Sequence, residues 1–430
     1  MKVAVFLPVK GSSSRIESKN IKLLDGKPLF IHTLEKLLAC DFIDEVYLDT
    51  ESEQVINIAS YLSHKVMRRD VALANNKTDG NKLFYNEVCF TEADIYIQIL
   101  CTSPFITKET IEQGVKKVVS GDYDSAVLVK KEKQYTWSNG SPDYNLGSIP
   151  NSGELDDTII ETMGLYIVSK DAAHATKRRI GDRPYLIEAS PVEAVDVNYP
   201  EDFKLAELLA AGQREKDRVL FDNLKSQLNS SMLSDLLDDF GYSKVISGLR
   251  PNLSGSKIFG RAKTLKIRKL EEGEDFRGIY DALQSYHTIV PNDIIIVENE
   301  INDYAYFGEL NANLAIRSGA TGAIIGGVTR DSADVEKLQF PVFSEGYNCT
   351  DVRGRATLDG INVPINIKNV SILPGDLIFA DNEGVVIIPK EIEEKLLKAA
   401  IDTCMKEKSV LLDIAKGIEV DELVKRNGEF

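Results

Sequence analysis

A chain of 430 residues, 43% hydrophobic and 27% charged, has the composition of a soluble protein and the length of two or three globular domains. Its net charge of −16 argues against nucleic acid as a partner, and no apolar run approaches the ~20 residues of a membrane span. The five cysteines (Cys40, Cys89, Cys101, Cys349, Cys404) have no C-x-x-C spacing, and the start of the chain lacks the form of a signal peptide. Together these features read as a cytoplasmic protein with reduced thiols.

The first half alternates strand-like and helical runs. Val3–Leu7 reads as a buried strand, Leu29–Cys40 as a helix, Glu45–Leu48 as a strand and Glu53–Ser63 as a helix. Ile95–Leu100 is a strand, Lys108–Val119 a helix, and Ser125–Val129 and Gly164–Ser169 are further strands. This order predicts a mostly parallel α/β sheet with helices on both faces. Glu207–Leu220 is polar with a helical pattern and reads as a connector. The second half opens on a helix around Ser234–Asp238, capped by Ser230 or Ser231. Strands follow at Lys257–Arg268, Asp293–Val297, Gly322–Gly327, Leu377–Ala380 and Val385–Ile388, and a last amphipathic helix runs from Glu391 past Ile414. Two domains are therefore expected, 1–215 and 225–430.

The loop Lys10–Asn20 follows the first strand directly and so lies at its carboxyl end, where open α/β sheets bind ligands. Gly11, Ser12 and Ser13 allow backbone amides to approach an anion, and Lys10, Arg15 and Lys19 supply positive charge, which suits a triphosphate. The spacing is not that of a P-loop. On composition alone a Ser/Gly turn with solvated lysines explains the stretch equally well.

Residues 10–29 (KGSSSRIESKNIKLLDGKPL) resemble the N-terminal signature of the CMP-sugar cytidylyltransferases, which activate acylneuraminates and 3-deoxy-octulosonate. The family pattern is approximately A-R-G-G-S-K-x-I-P-x-K-N and then G-K-P-L. Gly11, Ser13, Ile16, Lys19, Asn20 and Gly26–Leu29 match, while Lys10, Ser12 and Glu17 depart. Further likenesses follow in order. Val46–Glu51 stands for a V-x-x-S-T-D strand end, and Asn75–Asn81 (NNKTDGN) for a loop leading into a helix. Cys101–Pro104 stands for the end of Q-P-T-S-P, with Leu100 in place of the glutamine. Glu161–Tyr166 and Val195–Glu207 complete the series. The resemblance spans roughly 1–210 and implies a Rossmann-like nucleotidyltransferase domain. It further implies CTP and a 2-keto-3-deoxy sugar acid as substrates, with Mg²⁺. Lys10, Lys19 and Arg15 would hold phosphates, with Gly11, Ser12, Ser13 and Asn20 completing the loop. Asp196 and Asn198, alternating along a strand, fall on the metal positions. Asp202 reads as a helix cap. Thr102 and Ser103 either line the nucleotide pocket or form a turn fixed by Pro104.

In the second half GRAKT (260–264), PNDIIIVE (291–298), YFGELNANLA (306–315), GATGAIIGGVTRDSAD (319–334), PVF (341–343) and PGDLIFADNEGVVIIP (374–389) occur in this order. Together they resemble the family shared by 4-hydroxy-4-methyl-2-oxoglutarate aldolase and the regulator of ribonuclease activity A. Glu298-Asn299 departs from the usual pattern. The resemblance implies an α/β swivelling-type fold assembling as trimers or hexamers. It also implies an Arg330 that neutralises a 2-oxo acid and an Asp331 that holds Mg²⁺ or Mn²⁺. Gly308, Glu309 and Leu310 would offer amides to the substrate carboxylate. The expected protein is a bifunctional enzyme, a nucleotidyltransferase fused to an aldolase- or decarboxylase-like lyase. The alternatives are a cytidylyltransferase for another acid or phosphonate and a second half that only binds or oligomerises.

Overall fold

A computed structural model describes residues 1–75 and 77–427; Asn76, within the NNKTDGN loop, and the last three residues lie outside it. The chain divides into two compact units, Met1–Ala211 and Gly212–Phe430.

The first unit is built on a seven-stranded sheet. Its strands are β1 (Val3–Pro8), β2 (Glu45–Thr50), β3 (Lys65–Arg68), β4 (Ile95–Ile99), β5 (Ser125–Glu132), β6 (Thr158–Ser169) and β7 (Pro184–Glu188), in the order β7-β5-β6-β4-β1-β2-β3. β6 alone runs antiparallel to its neighbours, pairing Leu165–Ser169 with Ile99–Ile95. The helices are α1 (Leu29–Leu38), α2 (Glu53–Ala59), α3 (Gly80–Val88), α4 (Lys108–Val119) and α5 (Lys170–Thr176). β1 is apolar throughout, and β4 is apolar but for a buried Gln98 that donates to Glu87, because both sheet faces are covered: Val5, Leu7 and Ile97 pack in one cluster, Phe6 and Tyr96 in another. The strands β3 and β7 were not legible in the sequence. β3 is short and mostly exposed, and β7 has one buried residue.

From β1 the chain moves outward to β2 and β3, then returns to β4 on the other side of β1. The strand order therefore reverses between β1 and β4, and a crevice opens beyond their carboxyl ends. The loop after β1 and the turn after β4 both face it.

The connector is helical, as its pattern suggests, but longer: α6 spans Pro200–Lys225. Phe203, Ala206 and Ala210 lie in an apolar cluster of the first unit, Phe221 and Leu224 in one of the second. Phe221 packs on Phe259 with ring centroids 4.8 Å apart.

In the second unit α7 (Ser230–Asp239) starts earlier than its apolar pattern suggests. Its cap is Asn229, whose side chain accepts from the Met232 amide at 2.8 Å. Ser230 is instead drawn to Asp381, to which its hydroxyl donates at 2.7 Å. The nine-stranded sheet has at its centre β8 (Ile258–Lys269), β9 (Asp293–Asn299) and β10 (Gly322–Gly326), all parallel. α8 (Glu309–Ser318) lies between β9 and β10 in sequence, and α9 (Ser332–Lys337) follows β10. Beyond β10 lies β11 (Val342–Ser344). β12 (Ala356–Ile361) pairs with one end of β8, and β13 (Leu377–Ala380) and β14 (Val385–Ile388) continue past its other end. α10 (Glu393–Ala415) packs Leu396, Leu397 and Ala400 against β13 and α7 residues. No described helix is long and apolar enough to cross a membrane.

Candidate functional sites

At the crevice of the first unit the loop after β1 turns through a short 3-10 segment, Lys19–Ile21, with Ser18 left-handed at φ 51°. This carries Lys19 inward to 8% exposure, where its ammonium donates to the Val197 carbonyl at 2.8 Å. Burial lowers the Lys19 pKa from 10.5; Cys101 and Asp196 oppose that, and Arg15 and Lys10 reinforce it. A charge so placed is expensive unless an anion shares it. Asn20 locks the loop: its amide donates to the Lys10 carbonyl at 2.8 Å, and its oxygen accepts from the Cys101 thiol at 3.4 Å. Arg15 lies over the Tyr199 ring at 5.5 Å.

Gly11 departs from the open cradle expected of it. Its amide is bonded to Glu51 Oε1 at 2.8 Å and is not open to an anion. The Gly11 position is tight because an added Cβ would sit 2.7 Å from Ser52 Cβ.

Asp196 and Asn198 do not lie on a strand. Residues 195–198 form an unpaired segment whose hydrogen bonds go elsewhere: the Val197 amide to Thr102 O at 2.8 Å and its carbonyl to Lys19. The two side chains nevertheless meet, Asn198 Nδ2 donating to Asp196 Oδ2. The other oxygen, Asp196 Oδ1, is buried without a hydrogen-bond partner. A buried carboxylate oxygen left unsatisfied is a natural ligand for a hard cation, and Mg²⁺ requires only one or two such protein ligands beside substrate phosphates. Asp202 caps the start of α6, accepting from the amides of Asn198 (2.9 Å) and Tyr199 (2.8 Å). Thr102 uses its backbone to anchor Val197, while Ser103 is 1% exposed with an unpartnered hydroxyl beside Gly164. A Cβ on Gly164 would meet Ser103 Oγ at 2.5 Å, so glycine is needed for this approach.

In the second unit Arg330 lines a cleft with Phe307, Thr329, Val335 and Tyr347 among others, and Asp331 follows it in the chain. Arg330 reaches Asp351 Oδ2 at 2.8 Å and is 3.7 Å from Asp331 Oδ2. Asp351 carries no local sequence signal and was missed. Asp331 is left-handed, φ 55°, just before α9. Its Oδ2 accepts from the Glu309 amide at 3.2 Å. The expectation that Gly308–Leu310 present free amides is thus corrected at Glu309, because the start of α8 lacks a side-chain cap of its own and Asp331 supplies one. Gly308 permits this, since a Cβ there would lie 2.4 Å from Asp331 Oδ2; Leu310 is 77% exposed. Asp334 is turned away to Lys337 at 2.7 Å.

The first unit thus sets a loop of cationic and small residues at the reversal point of a mostly parallel α/β sheet, near a carboxylate with one unpartnered oxygen. Residues 4–140 match the cytidylyltransferase family model, and residues 230–387 match that of the aldolase/RraA family. Each half is thus similar to a different family. Among relatives, the pseudaminic acid cytidylyltransferase of Campylobacter jejuni is 30% identical over 28% of this chain and 54% of its own length. The putative 4-hydroxy-4-methyl-2-oxoglutarate aldolase of Halalkalibacterium halodurans is 29% identical over 40% of this chain and 77% of its own length. Protein DlpA of Legionella pneumophila is 28% identical over 46% of this chain, which spans only 33% of DlpA.

Proposed function

We propose that the first unit transfers a cytidylyl group from CTP to a 2-keto-3-deoxy sugar acid and releases pyrophosphate. The observation that carries this reading is the buried Lys19 ammonium beside an Asp196 whose Oδ1 has no partner. The acceptor hydroxyl oxygen forms a bond to the α-phosphorus, the bond from that phosphorus to pyrophosphate breaks, and the hydroxyl proton passes to solvent. Lys19, with Lys10 and Arg15, neutralises charge on the leaving pyrophosphate; positioning and electrostatics supply most of the rate. Asp196 through Oδ1, assisted by Asn198, would hold Mg²⁺, which supplies further charge neutralisation at the phosphates. The relatives named for pseudaminic acid, N-acylneuraminate and 3-deoxy-manno-octulosonate support the acceptor class. The test is pyrophosphate release from CTP and Mg²⁺ with each of these three acids. Release with at least one of them, dependent on both acid and metal, is expected; release with none refutes the reading.

For the second unit we infer a 2-oxo acid lyase site of the aldolase or decarboxylase type. Arg330 pairs with an oxygen of the 2-oxo acid after exchanging Asp351 for substrate. Asp331 has one carboxylate oxygen outside any hydrogen bond among the described residues, and Mg²⁺ or Mn²⁺ held there would stabilise an enolate. The protein is read as cytoplasmic and as a homo-oligomer, a trimer or hexamer, assembled through this unit.

A further inference from the structure

We infer that Arg179 recognises the carboxylate of the acceptor acid in the first unit, an inference that rests on the cytidylyl-transfer reading above. Arg179 lies just after α5, in the basic run Lys177-Arg178-Arg179 of an otherwise acidic chain. Its guanidinium stacks on the Tyr166 ring, 4.1 Å from the centroid. Stacking uses the face of the guanidinium and leaves its edge, with the N–H donors, free to bind. Among the described residues no acceptor lies within hydrogen-bond distance of that edge. The nearest carboxylate, Glu161, is 3.8 Å away and already accepts from the Tyr166 hydroxyl. The Arg179 side chain is 25% exposed, so the donors are reachable from solvent.

The surroundings hold this arrangement open. Glu161 and Tyr166 are five positions apart on β6 and would face opposite sides of a regular strand. The register shifts between them, with Met163 at φ 59°, and this brings both to one side. Gly80, at the start of α3, leaves the space Arg179 fills, since a Cβ there would lie 2.9 Å from Nη1. The cluster borders the transfer site. The Tyr166 phenol is pushed up by burial and then by Glu161, with Asp196 adding to the effect and Arg179 opposing it, and Gly164 on the same strand abuts Ser103. Lys10, Arg15 and Lys19 answer the phosphates on the β1 side. The remaining anion of the reaction is the acceptor's carboxylate, whose two oxygens match a guanidinium edge.

The test uses the whole chain with CTP and Mg²⁺. N-acetylneuraminate, pseudaminate and 3-deoxy-manno-octulosonate are each offered as the free acid and as the C1 methyl ester to wild type, Arg179→Met and Arg179→Lys. Wild type is expected to favour the acid over the ester. In Arg179→Met the KM for the acid rises on the order of 10- to 100-fold, as for loss of one charge-assisted contact. The KM for CTP and the melting temperature stay as in wild type, acid and ester become equivalent, and Arg179→Lys is intermediate. A merely structural arginine would instead move the melting temperature and both KM values together, and that result, like an unchanged KM for the acid, overturns the inference. CTP binding by calorimetry separates the two readings. If wild type binds CTP but turns over no acid, the acceptor reading falls and Arg179 with it; if it does not bind CTP, the transfer reading itself has failed.

Discussion

Replacing Lys19 by methionine keeps most of the side-chain volume and removes one charge. In the folded chain that ammonium is 8% exposed and makes one hydrogen bond, to Val197 O at 2.8 Å. Removing it leaves a carbonyl unpaired, a cost of about 1–3 kcal/mol, but also removes the cost of burying a charge. These terms oppose each other, so stability should change by less than about 2 kcal/mol and the variant should remain folded. The rate has no such compensation. The leaving pyrophosphate gains charge in the transition state, and one lost preorganised donor is worth about 3–4 kcal/mol, or 10²- to 10³-fold in kcat. Steady-state pyrophosphate release at saturating CTP and acid, beside a thermal melt, reads both quantities. A second signature follows from burial, which lowers the Lys19 pKa from 10.5. Only the protonated form neutralises charge, so wild-type kcat/KM for CTP, which reports the unliganded protein, should decline on the alkaline side before pH reaches that ordinary value. In Lys19→Arg, whose guanidinium stays charged, the decline should move to higher pH. A methionine variant within about threefold of wild type, or an arginine variant with the same alkaline limb, would refute the role given to Lys19.

Asp331→Ala should abolish metal-dependent oxaloacetate decarboxylation by the whole protein, and Arg330→Met should raise the KM for oxaloacetate by about 10-fold or more. Absence of activity above a metal-only blank in wild type would leave the second unit as a binding or oligomerising module. Asp293 is buried at the start of β9, 3.7 Å from Lys263; burial pushes its pKa up from 3.8 to about 6, with Lys263 opposing. A raised carboxyl stabilises the fold fully below 3.8 and loses that contribution as pH rises through about 6, by at most about 3 kcal/mol. Asp293→Asn keeps an acceptor for the Val290 amide (2.8 Å in wild type), so its melting temperature should fall less steeply between pH 4 and about 6. Equal slopes for the two proteins would exclude this residue as a source of the pH dependence.

The sequence by itself determined the strands that are buried on both faces and the helices with one apolar stripe. Ile95–Ile99, Leu377–Ala380 and Lys108–Val119 are legible because burial imposes its period on consecutive residues. It also determined the Lys10–Asn20 loop, whose charge and small residues are contiguous. It could not determine which groups those elements bring together. Asp331 meets the Glu309 amide, Arg330 meets Asp351, Glu51 takes the Gly11 amide, and Arg179 stacks on Tyr166; each partnership joins separate elements or turns of the chain. Asp196 and Asn198 illustrate the division. Their alternation suggested a strand, and their side chains do meet. Yet what holds the segment is the Thr102 carbonyl and the Lys19 ammonium, and what leaves Asp196 Oδ1 without a partner is the packing around it. Local pattern fixes which face a residue presents, whereas hydrogen-bond partners depend on strand order and loop closure, and these are set only when the sheet assembles.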